Sequence, residues 1–409
     1  MRFAFVFGAD AVYLGIPRFS LRARENGFKD LKQVAEAVEY AHQLGKKVYV
    51  TANVFAHNNK VGGFVHYVKD VLALCRVDAW IMADPGLIML MREQFPAETI
   101  HISVQSNVIN YASAKFWQGI GASRIILSRE ISIAEMSAIR QACPTLELES
   151  FVHGAICIAY SGRCLISNYL THRDSNQGVC TNSCRWEYKM TKTKHNDDYL
   201  PLKGEFYLEE SERKGTLFPI DEDESGTYLM NAKDLCAVRR LSELRQAGIN
   251  AFKVEGRSKT VYYVAMVTRA YRRAIDDMAA GRPFNEDNMS EILSTSARGF
   301  TEGFLHGDPG PAALEYANSN SAYSSYRFTG IVRGYDAEKK MLKVEPRNPI
   351  RPGHSYELCL PDKNVTLAVN EIFNDKMMPV GEIHGGLHFC YLPLLYNPGE
   401  FALLREKIK

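Results

Sequence analysis

The sequence predicts an α/β protein: a TIM-like (β/α) barrel followed by a small C-terminal antiparallel β-barrel. Over residues 10–257, short apolar segments of strand length alternate with amphipathic segments of helical length. Such alternation indicates parallel strands joined by helices. From about residue 319 the pattern changes to short strands at regular intervals, separated by Gly, Pro, Asn and Asp turns. That spacing is typical of a small antiparallel barrel.

The first domain has eight candidate strands, at residues 10–15, 47–51, 79–83, 100–104, 124–128, 148–152, 228–230 and 251–254. The segments between them carry helix signals. One helix is predicted to end at Gly45, and another to begin at Ser132, where Ser132 and Glu135 form a capping box. A long helix with a basic face is predicted over 261–280, and that face is most simply solvated.

We predict a barrel domain at residues 1–310 and a small β-barrel domain at 319–409. The candidate strands of the second domain are 326–332, 341–344, 355–360, 365–369 and 386–391. The polar segment 189–225 interrupts the first domain and includes the acidic run 221–224. A charge run of this kind is most simply a solvated face, so we predict a hairpin or mobile insertion without chemistry.

Polar residues follow each candidate strand, and this favours a closed barrel over an open doubly wound sheet. In a barrel the loops after the strands converge at one mouth. The residues in question are Arg18, Arg22, Asn53, His57, Asp84, Gln105, Asn107, Arg129, Glu130, His153, Asn231, Lys233, Glu255 and Arg257. No nucleotide-binding glycine motif follows any strand. For each residue alone, a capping or salt-bridge role is an equal alternative.

Four cysteines lie within 28 residues in the pattern Cys157-x6-Cys164-x15-Cys180-x3-Cys184. In a reducing compartment, clustered cysteines are more often metal or cluster ligands than disulfides. Zinc sites usually use tight pairs of thiolates, and only Cys180 and Cys184 approach that spacing. The two wide gaps suit thiolates delivered from separate loops around a larger object, and iron–sulfur clusters are commonly held by four cysteine thiolates. We favour an iron–sulfur cluster; zinc, or buried or redox-reactive thiols, are the alternatives. The other five cysteines are scattered singly, as small buried hydrophobes usually are.

Composition fits a soluble globular protein of 409 residues with a net charge of +2. The longest apolar runs are far too short to span a bilayer, and the first residues do not form a signal peptide. We therefore expect a cytoplasmic protein without a membrane partner. The net charge does not identify a nucleic-acid partner, but the loop 17–24 brings together Arg18, Arg22 and Arg24. Arginine forks grip carboxylates or phosphates, so this loop suits an anionic substrate or an RNA backbone.

Seven motifs in fixed order carry a family resemblance, at residues 8–15, 151–155, 160–165, 180–188, 230–235, 254–257 and 298–304. With them the chain resembles the collagenase-like, or unassigned-type, peptidase family over nearly its whole length. Within that family it is most similar to the branch that hydroxylates tRNA. The resemblance implies a TIM-like domain, a small β-barrel domain and a 4Fe-4S cluster on Cys157, Cys164, Cys180 and Cys184.

The activity implied by the resemblance is 5-hydroxylation of the wobble uridine of tRNA, with prephenate as co-substrate. Relatives in the family begin with one more strand, so the first barrel strand is expected to be missing here. A shortened start is the preferred explanation, because a parallel barrel that lacks one strand exposes two unpaired edges. With that strand restored there are nine candidates for eight places, so 228–230 is expected outside the barrel.

We assign candidate roles as hypotheses. Arg18, Arg22 and Arg24 would bind a dicarboxylate such as prephenate, or RNA phosphates. His153 is a candidate proton shuttle, with a satisfied buried histidine as the alternative. Glu255 and Arg257 would shape the catalytic pocket or form a structural ion pair. The sequence does not identify a partner for electron transfer or cluster assembly.

Two other classes of function compete. A protease would be consistent with the family label, but neither H-E-x-x-H nor G-x-S-x-G occurs in the sequence, and the best cysteines are assigned as ligands. A non-enzymatic RNA-binding or assembly factor with a structural cluster would keep the basic loop but lose the dependence on a metabolite.

Overall fold

The structure is a computed structural model. It describes residues 1–21, 27–157, 159–177, 179–185, 191–193, 199–201, 206–209, 217–223, 226–228, 232–256, 259–295, 299–307, 309, 324–386 and 388–408. Three predicted site residues, Arg22, Arg24 and Arg257, lie outside the described residues, and so do Asn231 and much of the predicted insertion 189–225.

The described helices are α1 (Arg2–Val6), α2 (Leu31–Gln43), α3 (Asn58–Val61), α4 (Phe64–Leu74), α5 (Pro85–Gln94), α6 (Tyr111–Gly119), α7 (Ile133–Ala142), α8 (Ile166–Thr171), α9 (Leu241–Gln246), α10 (Val261–Ala279) and α11 (Glu286–Leu293). None of them combines the length and the apolar character that a membrane crossing requires.

Strands in the first part of the chain are β1 (Ala11–Gly15), β2 (Lys47–Ala52), β3 (Ala79–Met82), β4 (Ile100–Ile102), β5 (Arg124–Ile126), β6 (Glu147–Gly154), β7 (Thr191–Thr193), β8 (Tyr199–Pro201), β9 (Phe206–Glu209), β10 (Leu217–Asp223), β11 (Gly226–Tyr228), β12 (Asp234–Cys236), β13 (Ala251–Val254) and β14 (Phe300–Thr301). Those in the last part are β15 (Tyr326–Asp336), β16 (Met341–Pro346), β17 (His354–Cys359), β18 (Asn364–Val369), β19 (Cys390–Pro393) and β20 (Leu403–Lys407).

The chain divides into two compact units. The barrel unit comprises Asp10–Glu255 and Arg298–Ala322, and the C-terminal unit comprises Met1–Ala9, Gly256–Ala297 and Tyr323–Lys409. Helices α10 and α11 therefore belong to the same unit as the last six strands. The boundary between the two domains at residues 310–319 stays a prediction from the sequence.

The barrel unit is built on a parallel sheet in which β1 to β6 pair in sequence order and β13 pairs with β6. Helices α2 to α7 lie in the connections. Strands β3 and β4 are buried along their whole length, as parallel strands covered on both faces should be. The predicted fold class, a TIM-like α/β domain followed by an antiparallel β domain, is confirmed.

The far edge of this sheet differs from a simple parallel series. Strand β12 pairs antiparallel with the end of β6, and β14 pairs with β12. The sequence did not predict β12, because three residues carry too little periodic signal. Within the described residues no backbone pair joins β1 to β13. The Lys253 ammonium nevertheless lies 4.1 Å from the centre of the Tyr13 ring, so side chains of these two strands meet.

The candidate strand 228–230 is not part of the parallel sheet where it is described. Tyr228 ends β11, which pairs antiparallel with β10 in a three-stranded sheet of β9, β10 and β11. Residues 229 and 230 lie outside the described residues. The prediction that this segment is a barrel strand was therefore wrong for Tyr228. The structure agrees instead with the expectation that the segment lies outside the barrel.

Two helix signals are confirmed by geometry. Gly45 follows α2 with φ +65°, a conformation that glycine adopts without steric cost. Ser132 accepts a hydrogen bond from the Glu135 N–H, and the Glu135 carboxylate accepts from the Ser132 N–H at 2.7 Å. This capping box fixes the start of α7 directly after the loop that follows β5.

In the C-terminal unit six antiparallel strands form a curled sheet in the order β18-β17-β20-β15-β16-β19. The predicted strand 386–391 begins later, at Cys390, where its pairing with β16 starts. Helix α10 anchors to this sheet through Arg269, a buried arginine whose guanidinium donates to Glu291, to the Leu360 carbonyl and to Asn364.

Candidate active site

The carboxyl ends of the parallel strands bring polar side chains to one edge of the barrel unit. In parallel α/β sheets this edge carries the functional loops. Its described residues include Arg18 after β1, Asn53 after β2, Asp84 after β3, Ser103 after β4, Ser128, Arg129 and Glu130 after β5, His153 at the end of β6, and Glu255 after β13. We call this edge the mouth.

Part of the mouth is a structural hydrogen-bond network. The Asn53 side chain accepts from the Leu21 N–H at 3.2 Å and donates to the Ser103 hydroxyl at 3.2 Å, so it ties three loops together. Asp84 caps α5 by accepting from the Leu87 N–H. For Asn53 and Asp84 the capping alternative therefore describes the geometry well.

Arg18 is exposed on the loop after β1. Its backbone N–H donates to the Tyr67 hydroxyl at 3.3 Å, and its guanidinium lies 6.0 Å from the centre of the Tyr67 ring. Burial raises the pKa of Tyr67 to about 12, so this hydroxyl stays neutral near pH 7. The loop thus presents one described cation to solvent at the mouth, and its role in anion binding stays a prediction.

His153 and Glu255 lie side by side at the ends of β6 and β13. The Glu255 N–H donates to the His153 carbonyl at 2.9 Å. His153 is buried, with its ring 5.3 Å from that of Phe300. This burial is also what a structural histidine would show, so the role of His153 as a proton carrier stays a prediction.

Gly154 determines where Glu255 can lie. Its φ is +116°, and a Cβ added there would lie 2.5 Å from the Glu255 Cβ. Such a separation is far below van der Waals contact. Glycine at position 154 therefore allows the backbones of β6 and β13 to approach closely at the mouth.

Arg129 follows β5 at the mouth but was not among the candidate site residues predicted from the sequence. Its guanidinium stacks 3.7 Å from the centre of the Phe151 ring, and its Nη2 lies 3.9 Å from Glu255 Oε2. Its place directly after β5 was the available signal. The structure adds its proximity to Glu255, which sequence separation conceals.

The four clustered cysteines lie within residues 157–184, which we call the cysteine segment, and this segment is attached to the mouth. The Ser161 N–H donates to Glu130 Oε1 at 3.1 Å, and Gly162 packs directly against the Gln105 carbonyl. Further along, Gln177 accepts from the Lys60 ammonium at 2.7 Å and donates to the Phe55 carbonyl. The segment is thus anchored to loops after β2, β4 and β5.

Within this segment, hydrogen bonds link the stretches that carry the cysteines. The Ser167 hydroxyl, three residues after Cys164, bonds both the backbone and the hydroxyl of Thr181, which follows Cys180. The Cys164 carbonyl accepts from the Ser175 hydroxyl at 2.7 Å. The wide sequence gap between Cys164 and Cys180 is thereby folded into a closed loop.

Four thiols are chemically suited to hold a metal cluster, but in the described residues these side chains do not lie close together. Cys157 and Cys180 are exposed, Cys164 and Cys184 half-buried, and none of the nine cysteines is in a disulfide. Among the described residues no three His, Cys, Asp or Glu side chains are close enough together to hold a metal ion. Cluster ligation therefore stays a prediction.

A second polar region lies at the opposite, amino end of the strands. A cavity of about 470 Å³ there is lined by Tyr49, His101, Arg124 and Glu147, among others. Arg124 bonds both Glu147 and Glu149, so its guanidinium is already occupied. In barrels this face generally serves stability. We therefore place the candidate active site at the mouth and not in this cavity.

Comparison with known proteins matches both parts of the chain. Residues 1–315 match peptidase family U32, and residues 324–405 match the C-terminal domain of that family. The chain belongs to peptidase family U32. The family resemblance that the sequence motifs predicted is thus confirmed.

Several characterised relatives of this U32 chain act on RNA according to their names. The tRNA hydroxylation protein P of Haemophilus influenzae is 42% identical over 96% of this chain and 90% of its own length. Its namesake from Escherichia coli is 42% identical over 96% of this chain and 91% of its own length. The 23S rRNA 5-hydroxycytidine synthase of Escherichia coli is 30% identical over 91% of this chain and 52% of its own length.

Proposed function

We propose that this chain is a tRNA-modifying enzyme that hydroxylates carbon 5 of the wobble uridine, with prephenate as co-substrate. One observation carries the proposal: the similarity to tRNA hydroxylation protein P extends over 96% of the chain at 42% identity, and so includes the mouth, the cysteine segment and the C-terminal unit. A cytoplasmic location, where tRNA is found, is part of the proposal.

The residues at the mouth are suited to this activity. Arg18 is exposed and offers a cation to the tRNA backbone, and Arg22 and Arg24 follow it in the sequence. Glu255 follows β13 beside His153, where a base could be held, and Arg257 comes two residues later in the sequence. In this proposal His153 carries the proton that leaves or reaches the base.

Cys157, Cys164, Cys180 and Cys184 would hold a 4Fe-4S cluster in this proposal. Such a cluster supplies electron transfer when bound. The attachment of the cysteine segment to three mouth loops supports a site next to the substrate, because Ser161 and Gly162 lie between the first two cysteines. The chain itself binds the substrates and positions them.

Mass spectrometry of tRNA nucleosides tests the proposal. A strain that lacks the gene should lose 5-hydroxyuridine derivatives, and expression of this chain should restore them. Restoration should fail in a strain that cannot make prephenate and should return when prephenate is supplied. Unchanged 5-hydroxyuridine derivatives in the deletion strain would refute the proposed function.

The peptidase label of the family supplies a competing activity. The sequence lacks the metalloprotease and serine-hydrolase motifs noted above. Incubation of the purified chain with collagen and casein should release no peptides. Proteolysis that disappears in the Cys180→Ser variant would instead support a thiol protease.

A further inference from the structure

Arg129 is mostly buried, yet its guanidinium makes no hydrogen bond to any described residue. The side chain is 13% exposed. Its charged contact in the described part of the chain is Glu255, with Nη2 and Oε2 separated by 3.9 Å, which is too long for a hydrogen bond. A buried polar group normally finds hydrogen-bond partners, because leaving it unpaired costs free energy. The donors of Arg129 that no described residue uses are therefore available to a ligand.

The Phe151 ring lies directly against this guanidinium. Phe151 is buried on β6, and the centre of its ring lies 3.7 Å from the guanidinium carbon of Arg129. Stacking on an aromatic face leaves the edges of the guanidinium available for hydrogen bonds. The fork of donors is thus preorganised for a planar oxyanion, which it can bind with two parallel hydrogen bonds.

Glu255 adds an acceptor beside this fork. Its Oε1 is buried and has no hydrogen-bond partner among the described residues. Its other oxygen faces Arg129, and the close approach of Gly154 fixes its backbone. A carboxylate accepts hydrogen bonds from hydroxyl groups. A ligand at this place should therefore carry an anionic group and, next to it, a hydroxyl group.

We propose that Arg129 binds a carboxylate of the small-molecule co-substrate and that Glu255 accepts a hydrogen bond from a hydroxyl group of the same molecule. This assignment rests on the proposed function for the choice of prephenate as the molecule. The assignment gives two kinds of anion to two different arginines of the mouth. The half-buried Arg129 receives a compact carboxylate, whereas the exposed Arg18 is accessible to the polyanionic backbone of tRNA.

Isothermal titration of the purified full-length chain with prephenate tests the assignment. Arg129→Gln should weaken prephenate binding by about 10- to 100-fold, as expected when charge-assisted hydrogen bonds are lost. Arg129→Lys keeps the charge but loses the fork, so its affinity should be intermediate. The matched control is Arg282→Gln, which removes an exposed arginine of the C-terminal unit that pairs with Asp277. It should bind prephenate like the wild type.

Two further titrations identify the anion. Binding of tRNA, measured by filter retention, should be retained in Arg129→Gln and weakened in Arg18→Gln. Inorganic phosphate should compete poorly with prephenate. If phosphate binds the wild type as tightly as prephenate does and loses affinity in Arg129→Gln, the site is a phosphate site and the carboxylate assignment is overturned.

Other results would overturn either this assignment or the proposed function. Normal prephenate affinity in Arg129→Gln, or loss of tRNA binding alone, overturns the assignment. Circular dichroism checks folding, and if Arg129→Gln does not fold, Arg129→Lys carries the test. A wild-type chain that binds prephenate through Arg129 but leaves tRNA unmodified contradicts the proposed function and not this assignment.

Discussion

Glu149 and Lys253 form an ion pair that joins the neighbouring parallel strands β6 and β13 inside the barrel unit. The Lys253 ammonium lies 2.6 Å from Glu149 Oε1, and both side chains are buried. The other Glu149 oxygen accepts from Arg124 on β5 at 3.0 Å. Burial alone would raise the pKa of Glu149, but the charges and hydrogen bonds of Lys253 and Arg124 together lower it.

Breaking this pair should destabilise the barrel unit strongly. Lys253→Met leaves part of the Glu149 charge buried without its closest partner, and we expect a loss of about 3–5 kcal/mol in the free energy of unfolding. Urea denaturation followed by circular dichroism measures it. Lys32→Met, on the exposed face of α2, should change the free energy by less than about 0.5 kcal/mol. Equal stabilities of the two variants would contradict the structural role.

The same pair predicts an acid dependence. Because the pKa of Glu149 is lower in the folded state, its stabilising contribution is present above the usual value of 4.5 and is lost as the pH falls through the folded pKa. The wild type should therefore lose stability below about pH 4.5 more steeply than Glu149→Gln. Denaturation midpoints between pH 3 and pH 6 would check this expectation.

His101 predicts a second pH dependence at higher pH. Burial, and then the charge of Arg124, lower the pKa of His101 to about 3. Protons therefore bind the unfolded chain first, and stability should fall as the pH drops from 6.5 towards 3, by at most about 1.4 kcal/mol per pH unit. His101→Asn should flatten this slope. His66→Asn, which removes an exposed histidine of α4, should leave the slope unchanged.

Gly154 offers a backbone test of the mouth. Gly154→Ala places a methyl group 2.5 Å from the Glu255 Cβ at φ +116°, so the ends of β6 and β13 must separate. We expect a loss of about 1–3 kcal/mol in stability, together with weaker prephenate binding because Glu255 moves. The control is Gly119→Ala at the end of α6, where a new Cβ meets no atom within 4 Å. A Gly154→Ala protein with wild-type melting temperature would show that the strands can adjust.

The cysteine segment predicts a spectroscopic result. Anaerobic purification of the wild type should yield a brown protein that contains iron and acid-labile sulfide, since four thiolates can hold a 4Fe-4S cluster. Cys180→Ser should lose most of that iron and all 5-hydroxyuridine formation, whereas Cys75→Ser, a half-buried cysteine outside the segment, should retain both. A colourless, zinc-loaded protein would refute the cluster.

Local patterns predicted most elements because they depend on neighbouring residues. The apolar segments that became β2 and β3 lie within a residue or two of their predicted places, and the Ser132–Glu135 box marks the start of α7. The antiparallel β12 was missed, because three residues carry no usable period. Strand β19 starts later than predicted, since its start depends on pairing with β16, which is distant in the sequence.

By itself, the sequence determined the alternation of strands and helices, the cysteine spacing and the family, because each is written in local order. Tertiary structure decided which mouth residues act together. Arg129 and Glu255 are far apart in the chain and meet because β5, β6 and β13 are successive neighbours in the sheet. Strand order and register set such pairs, and neither is encoded in the residues that flank a single position.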